Sequence, residues 1–204
     1  MEPKEKRDAV MQAALELVGE HGFHGAPMAE VAHRAGVAAG TIYRFFDSKD
    51  TLIKEIYASL EGQILAAVTE GYPKGQPARE RFLHIGRAVI GYFIASPLQF
   101  RFLEQFHNSP YGVASRREKV FGRKDRNLIG DLFEEARSRQ LVKDLPLLVL
   151  FALTFGPLMD VCRDHILGFI TLEESLIERT VEACWDAIRQ EPENPHGGRS
   201  RRAQ

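Results

Sequence analysis

The sequence predicts an all-α protein, a small helical head joined by a long connector helix to a larger helical body. Two observations carry this. Apolar residues recur at intervals of three and four from Lys4 to the neighbourhood of Gln190, and they never settle into the alternation of a half-buried strand. Helix breakers separate these runs at Gly22, Gly36, the Gly71 to Pro77 loop, Ser96-Pro97 and Ser109-Pro110, where a residue before proline avoids the helical region. With 204 residues, 44% of them hydrophobic, the chain can bury one substantial core, or a small head and a larger body.

The elements follow in order. From Lys4 to Gly22, Val10, Ala13, Ala14, Leu17 and Val18 form one buried stripe, and Gly22 stops the helix. After the turn Phe23-His24-Gly25, Pro27 suits the first position of a second helix, because its missing N–H would be unpaired there anyway. Met28, Val31, Ala32 and Ala35 make its inner face, Gly36 can end it in the left-handed conformation, and Val37 drops a side chain beneath the turn. A third helix, roughly Ala39 to Phe45, buries Ile42 and Phe46 and leaves Thr41, Tyr43, Arg44 and Phe45 partly free. Asp47-Ser48-Lys49-Asp50 then supplies the N-cap of a long helix whose apolar positions are Leu52, Ile53, Ile56, Leu60, Ile64 and Val68, running out at Gly71. Further helices are predicted over about 78–94, 97–107, 112–139, 145–168 and 172–190, with a kink at Gly156-Pro157. The last carries a wide stripe from Leu172 to Ile188 that includes Val181, Cys184 and Trp185. There is no internal repeat.

Composition excludes several functions. The 27 basic and 28 acidic residues leave a net charge of −1, which argues against an indiscriminate polyanion binder. No stretch approaches the roughly 18 to 20 apolar residues of a membrane span, and MEPKEKRDAV lacks the apolar run of a secretory signal. A cytoplasmic protein without membrane contact is expected. Cys162 and Cys184 lack C-x-x-C spacing and are expected as buried core thiols, with no metal site. His84, His107 and His165 stand alone, without H-E-x-x-H, a nucleophile motif or a glycine-rich phosphate loop, so neither an enzyme nor a cofactor is expected. The stretch EPENPHGGRSRRAQ, residues 191–204, has no apolar periodicity and is expected to be a disordered tail.

The most informative segment is Glu30 to Lys49, EVAHRAGVAAGTIYRFFDSK. Two short helices flanking Ala35-Gly36-Val37 have the layout of a helix-turn-helix, which lays its second helix in the major groove of DNA. Small residues at Ala32, Ala35 and Gly36 let the two helices cross closely. Thr41 can hydrogen-bond a base edge or touch a thymine methyl, and Arg44 can bind guanine with two hydrogen bonds or take a phosphate. His33 and Arg34 read as a solvated helix face.

Over residues 5–57 the first helix, the GFHGAP turn and VAHRAGVAAGTIYRFFDSKDTL resemble the TetR family of bacterial transcription regulators. Ala35-Gly36-Val37, Gly40-Thr41-Ile42-Tyr43, Phe46 and Ser48-Lys49 all fall at that family's spacing, and beyond them the likeness is architectural. The resemblance implies a homodimer that binds a palindromic operator in double-stranded DNA and releases it when a small effector enters the body. It also implies that Tyr43 and Lys49 grip phosphates, contacts that set register but not sequence. Pro27 and Ala38-Ala39 depart from the family, which often has hydrogen-bonding residues there. Ala39 and Gly40 can still pack against thymine methyls and allow close approach, so readout should lean on Arg44, Thr41 and DNA shape. The DNA-binding set is thus Ala39, Gly40, Thr41, Tyr43, Arg44 and Lys49.

In the body an aromatic stripe at helical spacing is ordinarily core, but the resemblance places an effector cavity among these helices. Tyr92, Phe102, Phe106, Phe133, Phe155 and Met159 are its expected walls, with Tyr57 reaching in from the connector. Asp160 reads either as a polar anchor or as an ordinary surface charge. Within the family the chain looks closest to regulators of multidrug-efflux genes, and the last two long helices should form the dimer face. Leu145 to Phe155 is too apolar all round for a solvent-facing helix, so it is buried in the body or meets a second subunit. The expected division is a head over 1–47, a connector over 48–70 within a body over 48–190, and the tail. The alternative functional reading is a helical adaptor that binds proteins only.

Overall fold

The computed structural model describes residues 2–121 and 128–190, and the predicted tail lies outside them. Among the described residues there are ten helices and no strand. The head holds α1 (Pro3–His21), α2 (Met28–Arg34) and α3 (Ala39–Ile42), and α4 (Lys49–Thr69) is the connector. The body holds α5 (Ala78–Ala95), α6 (Pro97–His107), α7 (Pro110–Phe121), α8 (Leu128–Ser138), α9 (Leu147–Ile166) and α10 (Glu174–Ile188). The predicted helix over 112–139 is therefore two helices, with 122–127 outside the described residues. The first begins at Pro110 because proline suits an opening turn.

Helix ends explain most boundaries. Gly36, at φ 66°, closes α2: its N–H donates to the His33 carbonyl at 3.1 Å, and the Val37 N–H reaches back to Ala32 at 3.0 Å. That is the paired bonding of a left-handed helix end. Gln140, at φ 55°, closes α8 in the same way through the Arg137 and Ala136 carbonyls. Ser48 caps α4, its Oγ accepting from the Thr51 N–H at 3.1 Å. The third helix is shorter than predicted. After Ile42 the backbone tightens, with Arg44 N–H donating to Thr41 and Phe45 N–H to Ile42, so residues 43–45 form a turn. In α9 the helix continues through Pro157 as one element.

Two aromatic clusters organise the interior. In the body, Phe82 packs against Phe133, Phe155 and Trp185 with ring centroids 5.4 to 6.2 Å apart. This cluster draws together α5, α8, α9 and α10. Gly86 lets α5 and α10 cross closely, since a Cβ there would lie 2.4 Å from Val181 Cγ1. The second cluster joins head to body. Phe23, from the α1–α2 turn, meets Phe102 and Tyr111, while Tyr57 of α4 stacks on Phe106 with centroids 3.8 Å apart.

Candidate DNA-binding site

The expected DNA-binding residues converge at α3 and the start of α4. Ile42 and Phe46 are fully buried, anchoring α3 from beneath, and Val31 and Ala32 bury the inner face of α2. This fixes which side of α3 faces outward. Ala39 and Gly40 are exposed at its start, and a Cβ on Gly40 would meet nothing within 4 Å. The surface there is open to close approach. Thr41 is half-buried, whereas Tyr43 is 56% exposed and Arg44 is exposed beside it. Among the described residues neither the Tyr43 phenol nor the Arg44 guanidinium has a hydrogen bond or ion pair. A large aromatic ring thus stands mostly in water beside a free guanidinium, whereas a tyrosine ring is ordinarily more covered.

Lys49 stands differently. It is half-buried, and its Nζ donates to the carbonyl oxygen of Phe23 in the α1–α2 turn. Burial pushes its ammonium below the ordinary lysine value. The neighbouring Asp50 carboxylate accepts from Tyr111 Oη at 2.6 Å, and this bond pushes the Tyr111 phenol up to about 12. The first turn of the connector therefore ties the head, through Phe23, to the body, through Tyr111. Sequence reasoning did not single out Asp50 or Tyr111 as a pair. Sixty-one positions separate them, and no local pattern reports such a contact. Arg34 is committed within the head, its Nη1 lying 2.8 Å from Glu20 and 3.9 Å from Glu16.

The eight residues expected around an effector fall into three groups. Tyr57, Phe102 and Phe106 pack in the head–body joint, and Phe133 and Phe155 pack in the body core. Tyr92 is half-exposed, its Oη donating to Gln63 at 3.0 Å, and Met159 is half-buried. Asp160 is an exposed carboxylate paired with Arg163 three residues on, at 2.7 Å, in keeping with the surface-charge reading. Arg163 also reaches Glu104 at 2.5 Å, bracing α9 against α6. Among the described residues an open cleft of about 300 Å³ lies elsewhere, between α1 and α4. No group of metal-ligating side chains converges among the described residues, and no described helix is long and apolar enough to cross a membrane. Cys162 and Cys184 are buried free thiols, and burial pushes both above the ordinary thiol value.

A three-helix head with an exposed third helix anchored from beneath, set on an all-helical body, defines a helix-turn-helix DNA-binding regulator. Comparison with known proteins agrees. Residues 10–56 match the family model described as bacterial regulatory proteins, tetR family, and residues 77–189 match the tetracyclin repressor-like C-terminal domain. The chain belongs to the TetR family of transcription regulators, which are not enzymes. It is 23% identical over 184 residues to an uncharacterized HTH-type transcriptional regulator of Haemophilus influenzae, covering 90% of this chain and 95% of that one. A putative TetR-family transcriptional regulator of Vibrio parahaemolyticus has a solved structure that superposes with a TM-score of 0.72 at 31% identity, covering 91% and 99% of the two chains. The fold is also that of the transcriptional regulator FadR of Bacillus subtilis, solved in complex with stearoyl-CoA, at a TM-score of 0.68 and 17% identity over 88% and 95% of the chains.

Proposed function

We propose that this regulator is a repressor that binds an inverted-repeat operator as a homodimer and releases it when a small, largely apolar or aromatic effector occupies the body. The exposed, unpartnered Tyr43–Arg44 pair at the end of α3 carries the DNA side of this reading. Arg44 and Thr41 read base edges, Ala39 and Gly40 allow close approach, and Tyr43 and Lys49 hold phosphates. The proposed action takes place in the cytoplasm, where the DNA is.

Support for the dimer comes from α9, where Leu148 and Phe151 are each 43% exposed beside Leu147, Val149 and Leu153. A contiguous apolar face of this kind marks an interaction surface. A second copy brings the same face and buries both. Support for an effector is the aromatic density of the body and the ligand held by the FadR structure of the same fold. The Asp50–Tyr111 bond and the Tyr57–Phe106 stack are the contacts through which a change in the body would reach the connector.

A salt series tests the DNA side. Log affinity for duplex DNA is expected to fall linearly with log salt, and Lys49→Gln is expected to lower the slope by about one per subunit. An unchanged slope would mean that Lys49 stays with Phe23 and holds no phosphate. Absence of salt-dependent duplex binding by the wild-type chain would favour the protein-only adaptor.

A further inference from the structure

Asp50 is an acid at the edge of a surface that meets an anion. It follows Lys49 in the first turn of α4 and is exposed. A carboxylate there has a structural use, because negative charge in the first turn favours a helix start. It also opposes DNA binding, since a phosphate that approaches Lys49 meets a like charge one residue away.

Asp50 does not move freely. Its Oδ1 accepts from Tyr111 Oη at 2.6 Å. Lys54 stands four residues on, the ordinary spacing for an ion pair along one helix face, yet the two make none among the described residues. Tyr111 is itself fixed. Its ring is tilted against Phe23 with centroids 5.1 Å apart and stacks on Phe106 at 6.3 Å. The bond to Asp50 and partial burial push its phenol up to about 12, so at neutral pH it keeps its proton and remains a donor. Tyr111 belongs to α7, and the carboxylate is therefore held toward the body.

We propose that Tyr111 is a positioning residue for DNA binding, its hydroxyl holding the Asp50 carboxylate on the body side of α4 and away from the phosphate that Lys49 takes. Tyr111 touches no DNA in this arrangement and acts through Asp50. This role rests on the DNA-binding reading above, and it gives the bond an electrostatic effect in addition to its mechanical one. Without the hydroxyl the carboxylate is free to turn toward the duplex. Two like charges about 7 Å apart in water lower affinity roughly threefold at low salt, and a dimer meets that loss twice.

Tyr111→Phe in the full chain tests the role, because it keeps both ring contacts and removes only the hydroxyl. Affinity is measured in a salt series on a duplex that the wild-type chain selects from a random-sequence library. At low salt Tyr111→Phe should bind about tenfold more weakly, and the difference should shrink as salt rises. Asp50→Ala, which removes the charge together with the tie, should bind at least as tightly as wild type. The double variant should match Asp50→Ala, since no carboxylate is left to hold. That rescue also separates the effect from a loss of fold, which a second substitution would not repair. Weakening by Asp50→Ala as large as that by Tyr111→Phe would mean that the bond is only a mechanical tie, and would overturn the proposal. Unchanged affinity in Tyr111→Phe would mean that the freed carboxylate settles elsewhere, on Lys54 for example, and would overturn it as well. Failure of the wild-type chain to bind any duplex would instead overturn the DNA-binding reading, and this role with it.

Discussion

Arg44→Ala is expected to abolish sequence preference while leaving the fold intact. Arg44 is exposed and its guanidinium makes no hydrogen bond or ion pair among the described residues, so a thermal melt should coincide with wild type within experimental scatter. On DNA the loss is large, because a good bidentate contact to guanine is worth about 1–3 kcal/mol of discrimination, and a dimer makes it twice. The alanines at 38 and 39 sharpen this expectation. With few other hydrogen-bonding groups there, only Thr41 is left to read base edges, and its single hydroxyl does not replace the two hydrogen bonds of a guanidinium. Weak, salt-dependent binding to arbitrary duplex should survive through the remaining phosphate contacts. Retained selectivity in a competition titration would move base reading away from Arg44.

The second large effect concerns the joint. Phe106→Ala should destabilise the chain by about 3–5 kcal/mol, the range for truncating a buried phenylalanine. Phe106 is 2% exposed and stacks on Tyr57, while Phe102 and Tyr111 lie within 6.3 Å of its centroid. Removing the ring opens a cavity between connector and body and takes away the face on which Tyr57 lies. Urea denaturation should show a lower midpoint. Because Tyr111 also holds Asp50, the same variant should loosen the setting of the head. Phe106→Leu keeps most of the volume and should retain most of the stability. Equal loss in both variants would mean that the ring's shape, and not its volume, is what the joint requires.

These two residues show how differently fold and site could be read beforehand. The helix over 97–107 was predictable to the residue, because Ser96-Pro97 and Asn108-Ser109-Pro110 bracket it with local stereochemistry. Gly36 and Ser48 were readable for the same reason, since caps are local events. The third helix came out shorter because the choice between a helical turn and a tighter one after Ile42 depends on how Phe46 seats in the core. Aromatic periodicity marked Phe102, Phe106, Phe133 and Phe155 as inward-facing, but one pattern serves both a packed core and a cavity wall. Lys49 was placed by its motif, yet its bond to the Phe23 carbonyl spans 26 positions. Long-range pairs of this kind, including Asp50 with Tyr111, follow from tertiary packing and leave no local trace.

The most direct measurement is selection of bound duplexes from a random-sequence library by the full chain, followed by a stoichiometry titration on the enriched sequence. The expected product is an inverted repeat with half-site centres about one helical turn apart, or a multiple of that spacing, since two symmetry-related recognition helices face the same side of the duplex. Binding should saturate at an even number of chains per duplex, and Arg44→Ala should enrich nothing. Failure of the wild-type chain to enrich any sequence, or enrichment of a site without two-fold symmetry at one chain per duplex, would contradict the reading of α3 as a dimeric operator-recognition surface.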